Sequence, residues 1–153
     1  MLLNYAKASP EGYAAMLKFS NFAKECGIEP ALIDLVQLRA SQINGCAFCI
    51  DMHVKDARAA GEKNERLDTL SAWRETPFFT PRERAALAWT EAVTRLADGP
   101  VPEMLFEDLR PHFSDKEIVD LTLAIVAING WNRLAAPFRS EPGRYRPKAA
   151  KSA

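Results

Sequence analysis

Residues Ser114–Ala135, SDKEIVDLTLAIVAINGWNRLA, decide the fold class. Ser114-Asp115-Lys116-Glu117 has the form of a capping box, with a hydroxyl at the N-cap and a glutamate three residues on. Behind it the chain is apolar nearly all round, through Ile118, Val119, Leu121, Leu123, Ile125, Val126 and Ile128. A helix apolar on every side is buried at the centre of a bundle or in a contact between subunits.

Working outward, the rest of the chain reads as helices separated by marked breaks. Segment 11–25 carries Tyr13, Met16, Leu17, Phe19, Phe22 and Ala23 at helical spacing and stops at Gly27. Pro30 suits a first helical position, and a helix over 31–43 follows with Leu32, Leu35, Val36 and Ile43. Asn44-Gly45 breaks the chain. A third helix is predicted from about Cys46 to Ala60, closed by Gly61. Residues 64–74 form a short helix. Thr80-Pro81-Arg82-Glu83 is a second capping box and opens a helix to about Ala97. A further short helix starts after Val101-Pro102 and is weakened by Pro111. No segment alternates as a strand between hairpin turns. The prediction is an all-α bundle of about six or seven helices over residues 1–140, with a mobile Pro-, Lys- and Arg-rich tail over 141–153.

The 153 residues suit one domain, and 48% of them are hydrophobic, enough for a core. Twenty basic and twenty acidic side chains cancel, which removes the attraction to phosphate that nucleic-acid binding rests on. No apolar run approaches the roughly 20 residues of a membrane span, and the first residues do not read as a signal peptide. A cytoplasmic protein without membrane or nucleic-acid partners is therefore expected, in a compartment where thiols stay reduced. Three cysteines, Cys26, Cys46 and Cys49, do not make a structural disulfide framework. A close pair in a reducing compartment is catalytic, redox-sensing or metal-binding.

That pair lies in Ser41-Gln42-Ile43-Asn44-Gly45-Cys46-Ala47-Phe48-Cys49-Ile50-Asp51-Met52-His53. On one helix, Cys46, Cys49 and His53 fall within roughly 60° of one another. Cys46 and Cys49 are near enough for a disulfide if the first turn adjusts. Asn44 as N-cap would set Cys46 in the first turn, near free backbone N–H groups. Cys49 lies deeper, so its thiolate would rely on the His53 imidazole as base. Cys49 is accordingly the expected peroxide-attacking thiol, with Cys46 resolving the sulfenic acid; Cys46 as attacker is the alternative. Half of a zinc site is a weaker reading, because Cys26 and His112 are the remaining soft ligands and are badly spaced for a closed four-ligand site. Neither a metal nor another cofactor is expected. Cys26 reads as a small core hydrophobe and His112 as a surface or capping residue.

Leu38–Cys49 followed by His53 resembles the core of the alkylhydroperoxidase D-like proteins of the carboxymuconolactone decarboxylase superfamily. Trp131–Ala135 and Phe138-Arg139 resemble the C-terminal part of one of its branches, so the likeness spans about residues 11–140. It implies an all-helical fold, a homo-oligomer such as a trimer or hexamer, and thiol-dependent reduction of a small hydroperoxide, with a dithiol or redox protein as electron donor. It also implies that an acidic residue twelve positions before the first cysteine joins a proton relay with the histidine. Asp34 holds that position, where the family usually has glutamate, and its side chain is one methylene shorter. Trp131, Asn132 and Arg133 are candidates for a pocket lining, an oligomer contact or plain packing. A thiol-disulfide carrier or redox sensor without peroxidase turnover is a second possible function. A third is a cofactor-free lyase of the decarboxylase type, which would not depend on the cysteines.

Overall fold

The computed structural model describes residues 1–147. Among them are eight helices: α1 (Tyr5–Ala8), α2 (Pro10–Lys24), α3 (Pro30–Ile43), α4 (Ala47–Ala59), α5 (Asn64–Thr69), α6 (Pro81–Thr94), α7 (Glu103–Leu109) and α8 (Asp115–Ala135). No strand occurs among the described residues, and the fold class is all-α, as the periodicity implies. The helix beyond the seven read from the sequence is α1, four residues long and too short to show a period. The segment after α5 continues as a 3-10 turn over Leu70–Glu75 with a non-helical Ala72. A second 3-10 turn over Leu96–Asp98 takes up the end of the expected helix to Ala97.

Both capping boxes form. Thr80 and Ser114 each accept the backbone N–H three residues on, and Glu83 and Glu117 reach back to the cap N–H groups. Pro10, Pro30 and Pro81 each sit at the start of a helix, where a missing N–H costs nothing.

Helix α8 is the central element and packs against α2, α3 and α6. Its Ile118, Leu121, Ala124, Ile125 and Ala127 close on Ile33 and Val36 of α3, Ala86 of α6 and Leu109 of α7. A second cluster joins Leu35 and Leu38 of α3 to Ala57 of α4, Leu67, Leu70, Trp73 and Leu87. Helix α3 thus faces both clusters, with Leu32, Ile33, Leu35, Val36, Gln37, Leu38, Ala40 and Ser41 all buried. By length and composition α8 is apolar enough to cross a bilayer, which the sequence reading overlooked; it serves here as the core helix. Residues 141–147, expected to be the start of a mobile tail, lie on α4. The Gly143 N–H donates to Asp51 at 2.9 Å, and the Tyr145 hydroxyl donates to Asp56 at 2.7 Å. Residues 148–153 of that expected tail lie outside the described residues.

Candidate functional site

The corner between α3 and α4 is built by three residues. Asn44 ends α3, Gly45 turns the chain with φ +64°, and Cys46 begins α4. The left-handed Gly45 is where a side chain would be strained. Cys46, and not Asn44, is the N-cap: its sulfur accepts the Cys49 N–H at 3.3 Å. This corrects the expected local cap. The Asn44 amide is drawn instead to α8, donating to Asn132 Oδ1 at 2.8 Å and Asn129 Oδ1 at 3.0 Å. Asn132 in turn donates to the Ser41 hydroxyl at 3.1 Å, and the Cys46 N–H donates to the Ser41 carbonyl at 3.0 Å. The cysteine corner is therefore fastened to the central helix by buried and half-buried amides.

Cys46 and Cys49 are joined as a disulfide, with Cα atoms 5.3 Å apart, and each is 1% exposed. Ala135 of α8 and Phe48 pack on them. Cys49 borders a cavity of about 330 Å³, whereas Cys46 does not. That volume is in the range of small-ligand pockets. His53, one helical turn on, lines the same cavity, so Cys49 and His53 are brought together as the stripe predicts. Around them stand Tyr5, Tyr13, Phe48, Met52, Ile128, Trp131 and Tyr145, a mainly apolar and aromatic wall. Tyr13 and Trp131 meet edge to face, 5.5 Å between ring centroids.

His53 is buried, and neither ring nitrogen has a hydrogen-bond partner among the described residues. Burial, with the nearby positive charge of Lys24, pushes its pKa down to about 3. With Cys49 tied in a disulfide, no thiolate offsets an imidazolium, so the ring is neutral. A neutral imidazole offers one donor and one acceptor to whatever enters the cavity.

Asp34 is placed differently. It lines a separate groove of about 210 Å³ with Ala57, Gly61 and Glu62, not the cavity of Cys49 and His53. Burial pushes its pKa up to about 6, against the pull of Lys24 and with the push of Asp56 and Glu62. Asp34 thus feels Lys24, as His53 does, and lies within electrostatic reach of Tyr145 in the cavity wall. Asn132 proves to be a buried brace, Trp131 a cavity wall, and Arg133 an exposed residue bonded to Asn129.

Gln37 was not read from the sequence. It is 2% exposed, borders the same cavity as Cys49 and His53, and its Oε1 has no hydrogen-bond partner. Such an unsatisfied buried polar group costs about 1–3 kcal/mol. A signal was available: Gln37 interrupts Leu35-Val36-Gln37-Leu38, a run otherwise fit for the core. Among the described residues no group of three or more His, Cys, Asp or Glu side chains is arranged to hold a metal.

The model of the Carboxymuconolactone decarboxylase family matches residues 10–92, which contain the whole cysteine corner and His53. The uncharacterized protein YdfG of Bacillus subtilis (strain 168) is 41% identical over 133 residues, 87% of this chain and 90% of that protein. A crystal structure of an Agrobacterium tumefaciens protein of unknown function, suggested to be the antioxidant defence protein AhpD, superposes with a TM-score of 0.91. It is 50% identical, and the match covers 94% of this chain and 99% of that one. A shorter likeness, 42% over 43 residues, links 28% of this chain to 24% of the alkyl hydroperoxide reductase AhpD of Bradyrhizobium diazoefficiens.

Proposed function

The chain belongs to the carboxymuconolactone decarboxylase family, in its AhpD-like branch, and from that membership we propose that it reduces hydroperoxides with the Cys46–Cys49 pair. A peroxidase-related or antioxidant role follows from the family. The observation that carries the finer reading is the buried Cys46–Cys49 disulfide whose Cys49 end meets His53 across one cavity.

Reduction of the disulfide gives two thiols. Cys49 passes its proton to His53, forming a thiolate–imidazolium pair without changing the net charge of the cavity. The thiolate attacks the terminal oxygen of the hydroperoxide. An S–O bond forms, the O–O bond breaks, and the leaving alkoxide takes the proton from His53 to depart as an alcohol. The Cys46 thiol then attacks the Cys49 sulfenic acid, expels water and restores the disulfide. A dithiol or small redox protein supplies the two electrons for the next cycle, attacking Cys49, the sulfur that borders the cavity. Cys46 is suited to leave, because a thiolate at the N-cap is held by the helix N-terminus and a better-stabilised thiolate leaves faster. Asp34 would steady this proton traffic through the shared field of Lys24 rather than by touching His53. The reducing cytoplasm is the setting such a cycle needs. Further copies of the chain are the expected assembly partners, with Val119 and Val126 exposed on α8 as apolar surface for it.

The N-cap position of Cys46 also favours a second reading, a thiol-disulfide carrier that exchanges electrons without consuming peroxide. One experiment separates the two. Reduced protein with dithiothreitol should consume cumene hydroperoxide catalytically. Cys49→Ser should abolish consumption, and Cys46→Ser should stop after one equivalent as a sulfenic acid. A disulfide that cycles reversibly with no peroxide consumed selects the carrier. Full turnover in Cys49→Ser removes both readings.

A further inference from the structure

Folding gives no reason for the Gln37 side chain to be where it is. Its neighbours Leu35, Val36 and Leu38 are core residues, and the Ser41 hydroxyl uses the Gln37 carbonyl, not its amide. The side chain is nonetheless 2% exposed, borders the cavity of Cys49 and His53, and keeps Oε1 without a partner. The two His53 nitrogens are the other partnerless buried atoms on this cavity. Gln37 and His53 thus bring unused hydrogen-bonding atoms to the lining of the cavity that Cys49 borders, in a mainly apolar and aromatic wall.

We propose that Gln37 is a substrate-binding residue that seats the peroxide group against Cys49. This rests on the peroxidase reading and adds to it the residue that orients the substrate. Gln37 Oε1 accepts the peroxide O–H, which turns the terminal oxygen toward the sulfur. If the amide is rotated, its NH₂ donates to a peroxide oxygen instead; a hydroperoxide offers one donor and adjacent acceptors, and so fits either. Gln37 gives and takes no electrons: the S–O bond is made and the O–O bond broken as above, and the alkoxide is protonated from His53.

The test uses the whole reduced protein and measures loss of the Cys49 thiol with cumene hydroperoxide, with hydrogen peroxide, and with iodoacetamide, which alkylates thiolates without needing a peroxide site. Gln37→Leu and Gln37→Met should lose about five- to tenfold of the cumene hydroperoxide rate, the loss of one hydrogen bond. Their iodoacetamide rates and the pH profile of alkylation should stay within twofold of wild type. Their melting temperatures should equal or exceed wild type, because an apolar side chain replaces an unsatisfied amide. Variants that react with cumene hydroperoxide as wild type does would overturn the proposal and leave the peroxidase reading standing. Peroxide and alkylation rates falling in parallel would overturn it too, since Gln37 would then be acting on thiol ionisation. Wild type consuming neither peroxide would fail the peroxidase reading, and the proposal with it.

Discussion

His53 has its basicity set by what faces it. In the disulfide form no negative group among the described residues does, and burial holds its pKa at about 3. Unfolded, the ring would take a proton near 6.5, so falling pH favours the unfolded chain. The His53 contribution is present in full above pH 6.5 and drains away toward pH 3, a loss on the order of 5 kcal/mol. Asp34 acts in the opposite sense. Its carboxyl keeps a proton up to about pH 6 when folded but only to about 3.8 when unfolded, so its burial destabilises the fold above that range and is relieved as pH falls. The two effects partly cancel between pH 6.5 and 4. Asp34→Asn removes one of them. The oxidised variant should therefore be more stable than wild type at pH 7, by about 1 kcal/mol after allowance for partial exposure. Its stability should also fall more steeply with acid. Denaturant titrations of both proteins across pH 4–7.5 read this directly, and parallel curves would contradict it. On reduction, a Cys49 thiolate gives the ring a counter-charge, so its nitrogen resonances in NMR should titrate at higher pH than in the disulfide form.

At the scale of helices, most of the bundle was legible, because capping boxes, prolines at first turns and glycine stops are local signals. The stripe of Cys46, Cys49 and His53 was legible for the same reason: spacing of three and four residues on one helix leaves little freedom. What escaped was decided by distant partners. Asn44 looks like a cap for α4, yet its amide is taken by Asn129 and Asn132, more than 80 residues away, and the cap falls to Cys46. Asp34 and Gln37 are three residues apart on α3, and only the positions of α2, α4 and α8 determine that Gln37 borders the cysteine cavity while Asp34 borders the groove by Gly61. The amide bridge makes its own prediction. Asn132→Ala removes bonds to Ser41 and Asn44 and leaves a small void between α3 and α8. It should cost about 2–4 kcal/mol in denaturant unfolding. It should also shift the Cys46–Cys49 disulfide toward reduction in a glutathione buffer, since the corner that holds the sulfurs together is loosened. An unchanged redox equilibrium would mean that the α3–α4 corner holds its geometry without α8.

Over the whole molecule, the first residues and the segment 138–145 converge on the cavity. The Met1 amino group pairs with Glu141, the Leu2 N–H donates to the Phe138 carbonyl, and the Tyr5 and Phe138 rings lie 6.0 Å apart. From this junction Tyr5 and Tyr145 reach the cavity wall from opposite ends of the sequence. The Tyr145 segment is held on α4 by a few polar bonds, to Asp51, Lys55 and Asp56, and not by core burial. Solvent competes with such exposed bonds, so the segment can open without disturbing the bundle. Ending the chain after Ser140 should therefore lower unfolding stability only slightly. It should have a larger effect on access. Iodoacetamide should alkylate Cys49 several-fold faster in the reduced truncated protein, because one wall of the cavity is gone while Cys46, Cys49, His53 and Gln37 remain. Tyr145→Phe keeps the ring and removes only the bond to Asp56, so it should fall between the truncated and the full chain. Equal alkylation rates in all three would show that substrate enters by another side, past Tyr13 and Trp131.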